Sequence, residues 1–573
     1  MTGKMAAAVH VVVLTVLMSM LLQVVVGEAQ PVTVHAVFNE TSQQFQILEG
    51  VATEDSLAWA QFIDSVNETG WGYLEVSTQY HVNEKYNDSM LAYAAGLVEG
   101  YVTRDQIKMH WQNTMAGYCN TPYSAYCKRL HDFLETNLNW IRTSIKNNTN
   151  DTYWHQVEMF YTQLRGMTDG YNNDPKRPSL DIDPFGLYLF QISNDVGDLE
   201  VALHKPGVSV DQPQRDRCSA YIKVDLEYEL LYAAHNTWSG YTNMLRMLKK
   251  YTLQYSMTDA RKGLMPKGSV WTFSSYPGYL ISDDDFYVLS SWLVTMATTI
   301  PNNNPDLYDY TKPEGCVLTP VRVWVANRLG NSGQEWMLVF SRYNSGTYNN
   351  QWMIVDQKLV QGNLPPAVLS VVEQMPGYIE YADVTDLLIV NTYWASYNVA
   401  FFPTIFNMSG QNQLVAKYGD YFSYNMSRRA RMFFQQDAQV QDRNTLFNMM
   451  RYNDFRHDNL SKCHCTPGYS ADLAIAARDD LNEENGTYLY DELGFAMEGA
   501  IDVKIVATGE MQWLLFDAVS GPTYDQQPPF QWSKVKDASK YPHFGQPDLF
   551  NFKPVSFNGT LVPPTTPSWY RGT

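Results

Sequence analysis

Cys218-Ser219-Ala220-Tyr221-Ile222-Lys223-Val224, followed after a short break by Leu230-Leu231-Tyr232-Ala233-Ala234-His235-Asn236-Thr237-Trp238, is the stretch on which the fold turns. The first run alternates polar and apolar, as a half-buried strand does, and the second predicts a return strand beside it. Residues 205–217 hold Pro206, Gly207, Pro213 and many polar side chains, so a linker-like stretch ends directly at Cys218. Such a composition break is where an accessible processing site belongs. Cleavage of the Arg217–Cys218 bond would leave a free α-amine on the residue that carries the thiol. Nucleophile and base would then belong to one residue.

Working outward, helices are expected at 89–102 and 126–146, and a loop rich in Asp, Asn, Pro and Gly at 168–184. Tyr241, Met244, Leu245, Leu248 and Tyr251 recur at helical spacing, which predicts a helix there. Short strands are expected at 269–274, 279–282, 286–289 and 293–300, helices at 321–329 and 336–343, and further buried strands at 350–355 and 387–390. Strand clusters separated by blocks of helix imply an α+β fold with helices packed on sheets. No internal repeat is visible.

A chain of 573 residues, 45% hydrophobic, can bury one large core or two or three smaller ones. Its formal charge of −19 argues against a nucleic-acid partner, which would need a basic face. Lys4, the apolar run 6–26 and the small residues Gly27 and Ala29 read as a signal peptide over residues 1–27, with an uncleaved anchor as the competing reading. No later segment is long and apolar enough to span a membrane. Asn39, Asn67, Asn87, Asn147, Asn150, Asn407, Asn425, Asn459, Asn485 and Asn558 each open a glycosylation sequon, which with the signal points to a glycoprotein of the lysosome lumen or a secreted one.

Of six cysteines, Cys119 and Cys127 flank a turn-rich loop that a disulfide would close, and Cys463 and Cys465 are near enough for a bridge. Cys218 and Cys316 are left unpaired; a thiol in an oxidising pathway is either buried or used. Cys316 is expected to be a small buried hydrophobe. His457, Cys463, His464 and Cys465 are zinc-ligand types at a spacing that fits no familiar site, so neither metal nor cofactor is expected. A Gly-X-Ser-X-Gly elbow, a His-Glu-X-X-His motif and a phosphate-binding glycine loop are all missing. Asp284 and Asp285 read as turn residues rather than an acid pair.

Ordered blocks then carry a resemblance. Cys218-Ser219-Ala220, Ala234-His235-Asn236-Thr237-Trp238, Ser274-Ser275-Tyr276-Pro277-Gly278 and Asp284-Asp285-Phe286-Tyr287 come first. Tyr348-Asn349-Asn350-Gln351-Trp352, Tyr393-Trp394-Ala395-Ser396-Tyr397-Asn398, Met450-Arg451-Tyr452-Asn453-Asp454-Phe455 and Gly499-Ala500-Ile501-Asp502-Val503-Lys504 follow. Together they resemble the phospholipase B-like (laminin ancestor-like) family, and most of all its lysosomal branch. The resemblance implies an N-terminal-nucleophile hydrolase with a four-layer αββα sandwich, self-cleaved at Arg217–Cys218 into fragments 28–217 and 218–573 that form one domain. It puts the nucleophile on Cys218, with Asn398 and Arg429 as catalytic partners and His235, Trp238 and Thr299 lining the substrate pocket. Arg428 competes with Arg429 for its position.

Those residue types permit acyl transfer: a thiolate attacks an ester or amide carbonyl, and water resolves the thioester. Asn398 would offer an N–H to the oxyanion, and Arg429 would hold a substrate anion or orient the nucleophile. Each has a structural alternative: a core histidine at His235, a core wall at Trp238, a turn asparagine at Asn398. The expected partner is a phospholipid or other lipid, or an acyl amide. A glycosylated lipid-binding protein without turnover is the reading from another class, and a homodimer is left open.

Overall fold

The computed structural model describes residues 30–79, 85–208, 218–225, 227, 230–360, 364–560 and 565–572. The signal segment 1–27, Arg217 and the end of the linker before it lie outside the described residues.

Cys218 leads into the strand Ser219–Asp225, which pairs antiparallel with Leu230–Asn236, Ser219 opposite Asn236 and Ala220 opposite His235. The hairpin read from the sequence is therefore present. It sits inside a six-stranded antiparallel sheet in the order Tyr393–Ser396, Ser219–Asp225, Leu230–Asn236, Asp502–Ala507, Phe516–Ser520, Val555–Phe557. Alternation sorts its side chains. Ala220, Ile222 and Val224 join one apolar cluster, while Tyr221 joins another on the opposite face.

An eleven-stranded sheet faces this one. Its order runs Tyr378–Asp383, Leu369–Met375, Asn350–Asp356, Leu293–Thr299, Phe286–Leu289, Val270–Ser275, Arg246–Thr252, then Trp71–Thr78, Ser56–Ser65, Val32–Asn39 and Gln44–Glu49. The last four precede Cys218 in sequence. They join the rest through Trp71–Thr78 beside Arg246–Thr252, the one parallel pair among the described strands.

Three cores follow from the side-chain pattern. One packs the large sheet against helices that include Asp88–Val102, Ala125–Asn147, Thr152–Tyr171 and Thr319–Leu329. A second lies between the sheets, where Leu248, Val288, Met296 and Val355 meet Ile222, Ala233, Val506 and Phe516. A third packs Tyr221, Ala234, Val503 and Ile505 against the helices Arg428–Gln436 and Arg443–Met450. The chain is mixed α and β with large multi-stranded sheets, as the strand clusters and helix blocks predicted. Among the described residues, no helix is long and apolar enough to cross a membrane.

Four local expectations need correction. Residues 241–251 form a 3₁₀ turn, Tyr241–Asn243, and the strand Arg246–Thr252 rather than a helix. Met247 and Tyr251 face the helix-side core and Leu248 the inter-sheet core, so burial on both faces mimicked a helical period. Residues 387–390 lie in the helix Thr385–Asn391; Leu388 is buried, and Val390, 77% exposed, has no sheet to join. Residues 279–282 are irregular backbone with a bend, following a turn at Pro277–Gly278 where Gly278 has φ 83°. The loop expected from residue 168 begins only after Thr152–Tyr171 ends. Cys119–Cys127 and Cys463–Cys465 are bridged, and Cys316 is buried and free.

Candidate active site

The Cys218 side chain is buried at the inter-sheet end of the hairpin, and its backbone is left-handed at φ 76°. An L-residue with a side chain adopts that region only when its surroundings impose it. Asn236, opposite Ser219, supplies part of the constraint. Its Oδ1 accepts from the Ser219 N–H at 2.8 Å and from Trp238 Nε1 at 3.0 Å. Its Nδ2 donates to the carbonyls of Met450 (2.8 Å) and Ile475 (2.9 Å). The Trp238 main-chain N–H points to the thiol.

Arg429, in the first turn of Arg428–Gln436, closes the other side. Nη1 donates to the Cys218 carbonyl at 2.7 Å and to Ser219 Oγ at 3.1 Å; Nη2 donates to the Tyr397 carbonyl at 3.0 Å and to Asn398 Oδ1 at 2.6 Å. The guanidinium also lies 4.4 Å from the centre of the Trp238 ring. Asn398, left-handed at φ 67°, donates through Nδ2 to the Thr299 carbonyl at 2.7 Å. Thr299 Oγ1 has no hydrogen-bond partner among the described residues, whereas Thr298 Oγ1 pairs with Ser396 Oγ at 2.7 Å. Arg428 instead stacks on Tyr421 at 4.6 Å, so Arg429 is the arginine that meets Cys218.

His235 is wholly buried. Nε2 donates to the Ala297 carbonyl at 2.8 Å, which puts the proton on that nitrogen. Burial, then the nearby Lys504 cation, hold its pKa well below the usual histidine range, so the ring is neutral. Burial likewise pushes the Cys218 thiol up to about 12; the Trp238 N–H and Lys504 act against that rise, while Asp285 and Asp284 add to it. In the intact chain the sulfur is a thiol.

Cys218, Trp238, Arg429, Asn398 and Thr299 are thus joined by direct contacts, whereas His235 lies apart from them, on the strand beside Ala220 and bonded to Ala297. Sequence reasoning passed over others. Asp285 (φ 58°) and Tyr348 (φ 48°) are also left-handed, and the Tyr348 hydroxyl donates to the Asp285 carboxylate, which accepts Asn350 Nδ2 at 3.2 Å as well. Asp284 occupies the expected turn, but it is buried and paired with Arg246. Asp502 and Lys504 stood in a recognised block; two residues apart in an otherwise apolar strand, they share a face, and that was the available signal.

A narrow cleft of ≈ 30 Å³ runs along Asn398 and Arg429, with Arg428, Asp472, Tyr490 and Glu492 among its walls. Beyond Tyr397 lies a larger groove of ≈ 420 Å³ lined by Tyr393, Trp394, Phe401, Tyr424 and Phe434. His457 is exposed and pairs with Asp454 at 2.7 Å, while Cys463 and Cys465 are joined to each other.

The chain matches the family model described as Phospholipase B over residues 58–557. A Mus musculus protein named "Putative phospholipase B-like 2" is 46% identical over 510 residues, which cover 87% of this chain and 85% of the mouse protein. The chain belongs to the phospholipase B family. A Caenorhabditis elegans member, "Putative phospholipase B-like 1", is 38% identical over 528 residues, 89% of each chain. The Dictyostelium discoideum "Phospholipase B-like protein B" is 38% identical over 516 residues, 88% of this chain and 86% of its own. Every residue of the Cys218 cluster falls inside the span of the phospholipase B match.

Proposed function

We propose that this member of the phospholipase B family is a luminal N-terminal-nucleophile hydrolase that cuts itself before Cys218 and then hydrolyses acyl bonds through a cysteine thioester. The observation that carries this reading is the unpaired, buried Cys218, held left-handed by Arg429 and Asn236 where a linker meets a strand. The succession of cores, helix on sheet, sheet on sheet and sheet on helix, supports an αββα sandwich of that type built from fragments 28–217 and 218–573. None of the ten sequon asparagines is buried, which supports a glycosylated chain of the lysosome or the extracellular space.

In the processed enzyme the new α-amine takes the thiol proton as sulfur attacks the acyl carbon, then returns it to the leaving alcohol or amine. Water, deprotonated by the same amine, releases the acid. With both terminal nitrogens engaged by the protein, Arg429 suits positioning of Cys218 and Asn398 better than capture of a substrate anion. Neutral His235 is wholly buried, and the α-amine is the base.

The aromatic groove beside Tyr397 favours a lipid acyl chain, whereas the small polar cleft at Asn398 favours a compact amide. Acyl release from a diacyl phospholipid, a lysophospholipid and an N-acyl amide, read by mass spectrometry with Cys218→Ala as blank, separates the two. Release from the phospholipids supports the lipid reading, and release from the amide alone supports the second. Equal release by the blank contradicts both.

A further inference from the structure

A group of buried charges shared between the two sheets lies beneath the nucleophile, and the reaction outlined above does not use it. Arg246, Asp284, Asp502 and Lys504 are each wholly buried. Lys504 Nζ donates to both Asp502 oxygens at 2.7 Å and to Thr237 Oγ1 at 2.6 Å. Asp502 Oδ1 also accepts the Thr237 main-chain N–H at 2.8 Å, and Oδ2 accepts Arg246 Nη2 at 2.8 Å. Arg246 reaches on to Asp284, which accepts the Tyr276 hydroxyl at 2.6 Å.

Register shows why this matters to Cys218. Ala220, His235 and Lys504 lie opposite one another across three adjacent strands, so their side chains share the face turned to the large sheet. Thr237 is the residue between Asn236, which fixes Ser219, and Trp238, whose N–H points to the sulfur. Lys504 and Asp502 therefore grip the turn that clamps the nucleophile, and they do so with two opposite charges that are wholly buried. Two cations and two carboxylates of such a network are costly to desolvate, and an apolar quartet would hold a turn as well.

We propose that Lys504, itself held by Asp502, is a positioning residue for Cys218: it fixes the Thr237–Trp238 turn and supplies the positive charge that favours the thiolate before any α-amine exists. Self-cleavage has to begin in the intact chain, where the amine is still an amide and cannot accept the thiol proton. An ammonium fixed nearby lowers the cost of the thiolate whichever group takes that proton. Among the described residues, the other charged or titratable groups near the sulfur are Asp284 and Asp285 from the turn before Phe286–Leu289, Tyr348 from the large-sheet side, neutral His235 from the neighbouring strand, and Arg429 from the helix layer. Asp284 and Asp285 oppose the thiolate, which leaves Lys504 as the cation of the small sheet that counters them.

This inference rests on the nucleophile reading of Cys218, and its test does not require turnover. The full chain is treated with iodoacetamide at a fixed pH of about 9, where the thiolate is the minor species and sets the rate, and alkylation of the Cys218 peptide is followed by mass spectrometry, with Cys316 as an internal comparison and thermal melting as a check on folding. Lys504→Met is expected to lower the rate of Cys218 alkylation by about tenfold or more, and Asp502→Asn to raise it. Opposite changes in rate are the signature of charge, since a purely structural loss would move both the same way. If Lys504→Met does not accumulate folded, Asp502→Asn asks the same question with the opposite sign. Unchanged rates, changes of one sign, or a wild-type Cys218 that resists alkylation until the chain melts would each overturn the proposal. Wild-type self-cleavage is read separately, so its absence would count against the hydrolase reading alone.

Discussion

Arg429 ties together residues 218, 219, 397 and 398, segments that are remote in sequence. Replacing it with Met leaves two buried carbonyls and the Asn398 amide oxygen without their donor, at about 1–3 kcal/mol each. Arg429→Met is therefore expected to lower unfolding free energy by at least about 3 kcal/mol and to slow appearance of the processed fragments by roughly 100-fold or more. Arg428→Met, which removes only the stack on Tyr421 at the cleft rim, should leave processing within about threefold. Denaturant titration and gel densitometry check both. At this scale much was legible, because an unpaired cysteine after a linker has few explanations in an oxidising pathway. The Asp285–Tyr348 pair was not legible: its partners are 63 residues apart, and left-handed φ angles leave no mark on Asp or Tyr.

Two elements carry expectations of their own. The helices Asp88–Val102 and Thr152–Tyr171 cross so closely that a Cβ at Gly96 would stand 1.9 Å from the Gln163 carbonyl oxygen, and one at Gly166 2.0 Å from that of Tyr93. Neither neighbour is a movable side chain, so Gly96→Ala should destabilise by about 2–3 kcal/mol or more, seen as a lower melting temperature. The second expectation concerns a nick before Cys218. Trp71–Thr78 hydrogen-bonds to Arg246–Thr252 across that boundary, and the helix Thr152–Tyr171 packs in the same core as Thr319–Leu329. The two fragments should co-elute on native gel filtration and separate only in denaturant; separation in native buffer would contradict this. Strands with one buried face were readable from alternation. Arg246–Thr252 was not, because apolar residues on both faces erase the period of two and Lys249 is buried against Glu99 at 2.9 Å and the Tyr279 carbonyl at 2.7 Å.

Over the whole molecule, buried acids set the response to pH. Burial raises Asp195 and Glu373 to about 7 and Asp285 well above the carboxylate range, so the folded chain holds protons that the unfolded chain has released. Stability from such groups is full below their unfolded pKa and is lost as pH rises through the folded value. Below about 6.5 the buried neutral His110 and His235 work the other way, because only the unfolded chain protonates them. Above that pH the acids act alone, each carboxyl titrating near 7 losing about 0.8 kcal/mol between pH 6.5 and 8. The melting temperature is expected to fall over that interval, and Glu373→Gln should make the fall shallower, as scanning calorimetry would register. The α+β class was legible at this scale from strand clusters separated by blocks of helix, while the pairing of an eleven-stranded with a six-stranded sheet was not, since periodicity fixes faces and leaves neighbours undetermined. The most direct test of self-activation at Cys218 is the N-terminal sequence and intact mass of wild type and Cys218→Ala after incubation at acidic pH. A new N-terminus at Cys218 in wild type alone is the predicted result; an intact wild-type chain, or equal cleavage of both, would contradict it.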